Sequence, residues 1–225
     1  MRRVLVLVEG QTEETFFRET IEPHLAALGT HARCTCICTR LIDNRRAFRG
    51  GHGHKWQHIE RDVRRLLGSN PDLATTMIDL YQFPRDLPGY PSPLPGKPHD
   101  RALRLEQAFA SAIDHQSFLP GLMVHEFEAL LFSDVSRLVE IVSLDASKVE
   151  EQKRALKQVR DGFDSPEDID DGRDTAPSKR IEQVLTNYDK VLHGPRVANA
   201  IGLAQLRSSC PLFDAWLKRL EALGP

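Results

Sequence analysis

The chain has 225 residues, 40% hydrophobic and 28% charged, the balance of a soluble globular protein with one large domain or one domain plus an appendage. Its formal net charge of -2 excludes a general basic surface, so any nucleic-acid contact has to be local. No apolar run is long enough to span a bilayer, and "MRRVLVLVEG" lacks the apolar core and small-residue cleavage site of a secretory leader, so a cytoplasmic protein with no membrane association is expected.

Val4–Val8 is a short branched-apolar run that predicts a buried strand ending on Glu9. A helix is expected over Thr12–Leu28, with Phe17, Ile21, Leu25 and Leu28 on its buried face and Glu13 and Glu14 in its first turn. "ARCTCICTRLI" alternates as a second strand. Its Cys34, Cys36 and Cys38 do not have a zinc spacing, and with Cys210 they read as buried reduced thiols. "DNRRAFRGGHGHK" reads as a loop, and "WQHIERDVRRLLGS" as a helix with Trp56, Ile59, Val63, Leu66 and Leu67 on one stripe.

Leu73 to about Leu80 predicts a third strand, ending near Asp79. "PRDLPGYPSPLPGKPHD" holds six of the 14 prolines and is a loop, and "RALRLEQAFASAI" is a helix. A fourth strand is expected at Leu122–Val124, followed by a helix onset around His125-Glu126-Phe127-Glu128. Beyond Asp134 strand signals stop, and "ASKVEEQKRALKQV", "PSKRIEQVLTNY", "PRVANAIGLAQL" and "CPLFDAWLKRLEAL" read as helices. Pro177 and Pro195 are placed in first helical turns. "DGFDSPEDIDDGRD" carries seven acids and reads as an exposed loop. The expected fold is therefore α/β, a mainly parallel sheet of about four strands flanked by helices over residues 1–134. Residues 135–225 form a helical appendage packed on that core.

Three of these strands end in acids, at Glu9, at Asp79 and at Glu126 with Glu128. In a parallel sheet they gather at one edge, where ligands bind. Like charges at short range are costly, and a divalent cation removes the cost; carboxylate oxygens suit Mg2+ or Mn2+. Such a site serves phosphoryl transfer, where one or two metals stabilise the oxygens of an in-line displacement. Each acid also has a structural alternative: Glu13 and Glu14 as helix-dipole partners, Asp79 as a turn cap, Glu126 as a helix start. If the fourth strand continued, Glu126 and Glu128 would share a face; helix onset would separate them.

"VEGQTEETFF" after a strand, with the acidic strand end of "MIDLY", resembles the Toprim fold shared by topoisomerases, bacterial primases and OLD-type nucleases. "VEGQTEETFF", "TTMIDLYQFPRDLPG", "HEFEALLFSD", "DTAPSKRI" and "CPLFDAWL", in that order, resemble the bacterial Toprim-like family known as domain of unknown function 4276. The resemblance implies that Glu9 is the strand-one glutamate that binds metal or serves in acid–base chemistry, Gly10 the glycine at the turn, Glu13 the second acid of the pattern, and Asp79 the first acid of a D-x-D motif. The second acid of that motif is replaced by Tyr81, a poor Mg2+ ligand, leaving Asp86, Glu126 or Glu128 to complete the set. It also implies an ABC-type ATPase as partner, in anti-phage or mobile-element gene clusters.

Residues 40–67 hold eight Arg and Lys against three Asp and Glu. Arg45, Arg46, Arg49 and Lys55 make a candidate phosphate-binding patch, the alternative being a solvated basic face. His54 and His58, at i and i+4, invite a weaker zinc reading. Ser178-Lys179-Arg180 after Pro177 forms a candidate anion cradle at a helix start, with Lys179 as the cation for a transition state. The expected function is a Mg2+- or Mn2+-dependent nuclease acting on DNA or RNA; the rival is a non-catalytic binding or regulatory subunit of an ABC-type ATPase. A dinucleotide-binding reading fails because Gly10 stands alone where three glycines are needed.

Overall fold

The structure, a computed structural model, describes residues 2–38, 40–42, 45–47, 55–81, 83–124, 126–169, 172 and 174–224, with the backbone alone for 40–42 and 45–47. Strand β1 (Arg2–Val8) leads into a helix of three pieces: α1 (Gln11–Phe16), a π-helical turn (Phe17–Ile21) and α2 (Glu22–Ala27). Strand β2 (Thr30–Cys36) follows, then a short antiparallel pair, β3 (Arg40–Ile42) and β4 (Arg45–Ala47). Next come α3 (Trp56–Leu67), β5 (Leu73–Asp79), α4 (Pro98–Ile113) and the brief strands β6 (Phe118–Leu119) and β7 (Leu122–Met123).

The sheet order is β2-β1-β5-β6, with β7 also on β5, and every one of these pairings is parallel. Strand β1 feeds β2 on one side and neighbours β5 on the other, so the topological switch point lies between β1 and β5. The period-2 alternation of the strands splits the core into two layers. Val4, Val6, Val8, Leu73 and Met77 face one layer, with Phe16, Phe17, Ile21 and Leu25. Leu7, Ala74 and Ile78 face the other, with Ile59, Val63, Leu105 and Phe109 from α3 and α4. The chain is thus an α/β protein with a parallel sheet covered by helices on both faces, as the sequence predicts.

After a 3-10 segment at Phe127–Asp134 the rest is helical: α5 (Val135–Val142), α6 (Val149–Arg160), α7 (Pro177–Val184), α8 (Lys190–Ile201), α9 (Leu203–Ser209) and α10 (Pro211–Glu221). Leu138, Leu156, Ile181, Val197, Leu206 and Leu217 from these helices join the same apolar layer as β1 and α1.

Several elements differ from the sequence reading. The second strand stops at Cys36; the last residues of its predicted span form a separate strand, β3, which pairs with β4 from the predicted loop. The fourth strand is β7, ending at Met123, and a further fragment, β6, precedes it; between them Pro120 lacks a ladder N–H and Gly121 turns its backbone to Thr76, whose Oγ1 donates to the Gly121 carbonyl at 2.8 Å and accepts its N–H at 3.0 Å. Gly121 has to be glycine, since a Cβ would overlap the Thr76 carbonyl and the Trp216 indole. Leu28 lies beyond the helix end and is 42% exposed. Pro195 is interior to α8, not first in it, because Asp189 already caps that helix by accepting the Leu192 N–H at 2.8 Å. Cys34 is half-buried, and Cys36, Cys38 and Cys210 are buried, Cys38 lying beyond the end of β2.

Candidate metal centre

The carboxyl ends of β1 and β5 meet at the switch point. The Glu9 N–H donates to the Met77 carbonyl at 3.3 Å, extending the ladder one residue past β1. The Glu9 carboxylate then turns across the strand gap and accepts the Asp79 N–H at 3.0 Å. Gly10 has φ -152° and ψ -163°, extended backbone open to other residues, so the turn does not itself demand glycine. Its role is at the helix start: the Gly10 N–H donates to Glu13 Oε2 at 2.9 Å, half of a capping box. Glu13, 7% exposed, ties down the first turn of α1 and adds its charge beside Glu9. Glu14 faces away, where the Cys36 thiol donates to it at 3.5 Å.

Glu126 has extended backbone and Glu128 sits in the first turn of the 3-10 segment. Helix onset does not separate them, because one cation holds both: Lys190 Nζ lies 3.4 Å from Glu128 Oε2 and 3.9 Å from Glu126 Oε1. Glu126 Oε2 also accepts the Ser178 N–H at 3.1 Å at the start of α7, and Glu128 Oε1 accepts the Tyr188 hydroxyl at 3.3 Å. Lys190 reaches the cluster because α8 lies close against α1. A Cβ on Gly194 would stand 3.0 Å from Thr12 Cγ2, so glycine permits that approach.

The electrostatics follow from burial and crowding. Burial first, then the Glu13 charge, pushes the Glu9 carboxyl up to about 8, against the Asp79 N–H and Lys190, which pull it down. Burial raises Glu13 too, opposed by backbone N–H groups and Lys190. Glu128 rises to about 7 through burial, moderated by Lys190. Asp79 is held well above the ordinary range by burial and by Glu9, Glu13, Glu128 and Glu126. Burial alone would lower Lys190, but Glu128, Glu126 and Asp79 outweigh it and hold the ammonium above its usual range.

Asp79 Oδ1 is buried and has no hydrogen-bond partner among the described residues. A buried carboxylate oxygen without a partner costs free energy and fits an ion contact. The donor set, all carboxylate oxygen, suits Mg2+ or Mn2+. Among the described residues no group of three His, Cys, Asp and Glu side chains is yet arranged to hold a metal ion; the carboxylates instead take N–H groups and Lys190 as partners.

The remaining predicted residues fall elsewhere. Asp86 is exposed and accepts the Trp56 N–H at 3.0 Å, so it caps α3 rather than replacing the missing acid of the D-x-D motif. Lys179 pairs with Glu182 at 2.6 Å within α7, where the i,i+3 spacing sets them side by side. Arg180 donates to the Thr175 carbonyl at 2.7 Å and lies over the Phe163 ring. Neither cation forms the expected anion cradle, because the Ser178 N–H there is already taken by Glu126. Lys55 is exposed just before α3. The side chains of Arg45 and Arg46, and Arg49, His54 and His125 altogether, lie outside the described residues.

The residue that sequence reasoning missed is Lys190. Its signal was the Asp189 cap, which puts Lys190 in the first turn of a helix, a position where a cation is unfavourable unless acids face it.

Fold and site together define a parallel α/β protein with a carboxylate cluster at its topological switch point. The family described as "Domain of unknown function (DUF4276)" matches residues 8–221, and the chain belongs to it. No curated protein matches the sequence. Among solved structures, the C-terminal region of the Burkholderia pseudomallei OLD protein is similar at a TM-score of 0.46 and 16% identity, over 99% of this chain and 98% of that one. Among the described residues no helix is long and apolar enough to cross a membrane.

Proposed function

We propose that this chain is a Toprim-type, Mg2+- or Mn2+-dependent phosphodiesterase acting on DNA or RNA, in an anti-phage or mobile-element setting. The observation that carries the reading is the contact between Glu9 and Asp79 at the ends of adjacent parallel strands, with Glu13, Glu126 and Glu128 in their field. Glu9, Asp79, Glu126 and Glu128 would hold the cation, with Glu13 beside them. When bound, it neutralises charge on the oxygens of the transferred phosphoryl group. Lys190 keeps Glu126 and Glu128 together and offers an ammonium to an incoming phosphate, the role the sequence assigned to Lys179. Tyr188 fixes the orientation of Glu128. Arg45, Arg46, Arg49 and Lys55 supply the local basic stretch for the nucleic-acid backbone. The test is cleavage of plasmid and of single-stranded oligonucleotide with Mn2+. Wild type is expected to cut and Glu9→Gln to lose activity by at least about 100-fold, as for a group acting in the transition state; equal rates would contradict the reading.

Tyr81 in place of an acid, with Asp86 engaged by α3, favours one other reading: a non-catalytic binding or regulatory subunit of an ABC-type ATPase. Calorimetry separates the two, since absence of Mn2+ binding at millimolar metal supports the subunit and counts against the enzyme.

A further inference from the structure

Tyr81 leaves the proposed cation site one oxygen short, and Asp86 does not fill the gap. The polar group left over nearby is Ser178. It is 1% exposed, and its Oγ has no hydrogen-bond partner among the described residues. A buried hydroxyl without a partner costs about 1–3 kcal/mol and needs an explanation. A role in capping α7 does not provide one. Pro177 and Ser178 open that helix, and Ser178 meets Glu126 through its backbone N–H, not its hydroxyl. That N–H bond fixes Ser178 against Glu126 Oε2, while Glu126 Oε1 faces Lys190. Asp79, whose Oδ1 is the other unpartnered oxygen of the site, lies in the field of the same Glu126 carboxylate. The orphaned hydroxyl thus belongs to a residue bonded through its own backbone to Glu126, a carboxylate of the proposed site.

We infer that the Ser178 hydroxyl is a ligand of the divalent cation site, standing in for the acid that Tyr81 replaces. A serine hydroxyl is a hard oxygen donor and a known partner of Mg2+ in phosphate sites. As a neutral ligand it adds no charge to a cluster already crowded with carboxylates, which a second aspartate would do. The inference rests on the metal-dependent reading above.

The test is metal binding by the full chain, read by calorimetry without any substrate. Wild type binds Mn2+, and Ser178→Ala weakens that binding on the order of 10-fold, the scale seen when a residue of a metal site is removed. The thermal midpoint of metal-free Ser178→Ala stays equal to wild type or rises, since no protein hydrogen bond is lost. Ser178→Cys changes a single side-chain atom and exchanges a hard for a soft donor, so its Cd2+-over-Mn2+ preference rises on the order of 10-fold relative to wild type, with a new ultraviolet thiolate-to-metal band. Unchanged Mn2+ affinity in Ser178→Ala, or an unchanged metal preference in Ser178→Cys, overturns the ligand role while leaving the metal-dependent reading intact. A wild type that binds no Mn2+ overturns both. A metal-free Ser178→Ala that melts well below wild type assigns the hydroxyl a structural contact and also overturns the inference.

Discussion

At the residue scale the site is a matter of which charges need a partner. Lys190 is 37% exposed, while the Glu128 it faces is 2% exposed. Removing one partner of a fully buried pair costs about 3–5 kcal/mol, and the exposure of Lys190 reduces that through solvent screening. Lys190→Met is therefore expected to destabilise the metal-free protein by about 1–3 kcal/mol at pH 8, measured by urea unfolding. Glu128 ionises only near about 7, so at pH 5 it is neutral and needs no counter-ion, and the difference narrows to what the Glu126 contact contributes. A loss that is the same at both pH values would contradict the assignment. Glu9 and Asp79 were legible in the sequence because each ends an apolar run, and a buried strand seldom stops on a carboxylate without a use for it. Lys190 was not legible, because its partners are some sixty residues away in sequence and Pro195 marks a later helix start in the sequence pattern.

At the element scale, the arrangement depends on how closely α8 approaches α1. Gly194→Ala would place a methyl 3.0 Å from Thr12 Cγ2 and 3.3 Å from Phe127 Cε1, both buried. Overpacking costs about 1–3 kcal/mol, offset by about 1 kcal/mol of helix propensity gained over glycine. The expected outcome is a net loss of about 1 kcal/mol in urea and weaker Mn2+ binding, because Lys190 rides on the same helix. Unchanged stability and affinity would show that α8 can slide without disturbing the site. The strands and the helices with clear stripes, such as α3 and α4, were legible because periodicity reports which face is buried. The break between β6 and β7 was not: it arises from the bonds between Thr76 and Gly121, which couple residues 45 apart. The 3-10 segment likewise keeps Glu126 and Glu128 together through a tertiary cation, which no local pattern encodes.

At the scale of the whole molecule, a parallel sheet brings acids from the first 128 residues to one edge, and helices from the last third close over them. The clustering makes stability depend on pH in a definite direction. Glu9 titrates near about 8 in the folded chain against an ordinary 4.5, so the folded state holds the extra proton between those values. Its contribution is fully present below pH 4.5 and is lost as pH rises through about 8. Glu128, raised to about 7, acts with the same sign. The metal-free protein is therefore expected to lose stability from pH 5 to pH 8.5. Glu9→Gln flattens that slope, and Mn2+ restores stability at the alkaline end by binding the ionised carboxylates. A midpoint that rises over this range, or a slope unchanged in Glu9→Gln, would contradict the assignment.

The central claim is that these strand-end carboxylates form a divalent cation site. An anomalous difference map from a crystal soaked in Mn2+ tests it most directly. A peak is expected within ligand distance of Glu9 and Asp79 and of Glu126 or Glu128. A map with no peak there, from crystals that hold the ion elsewhere, would contradict it.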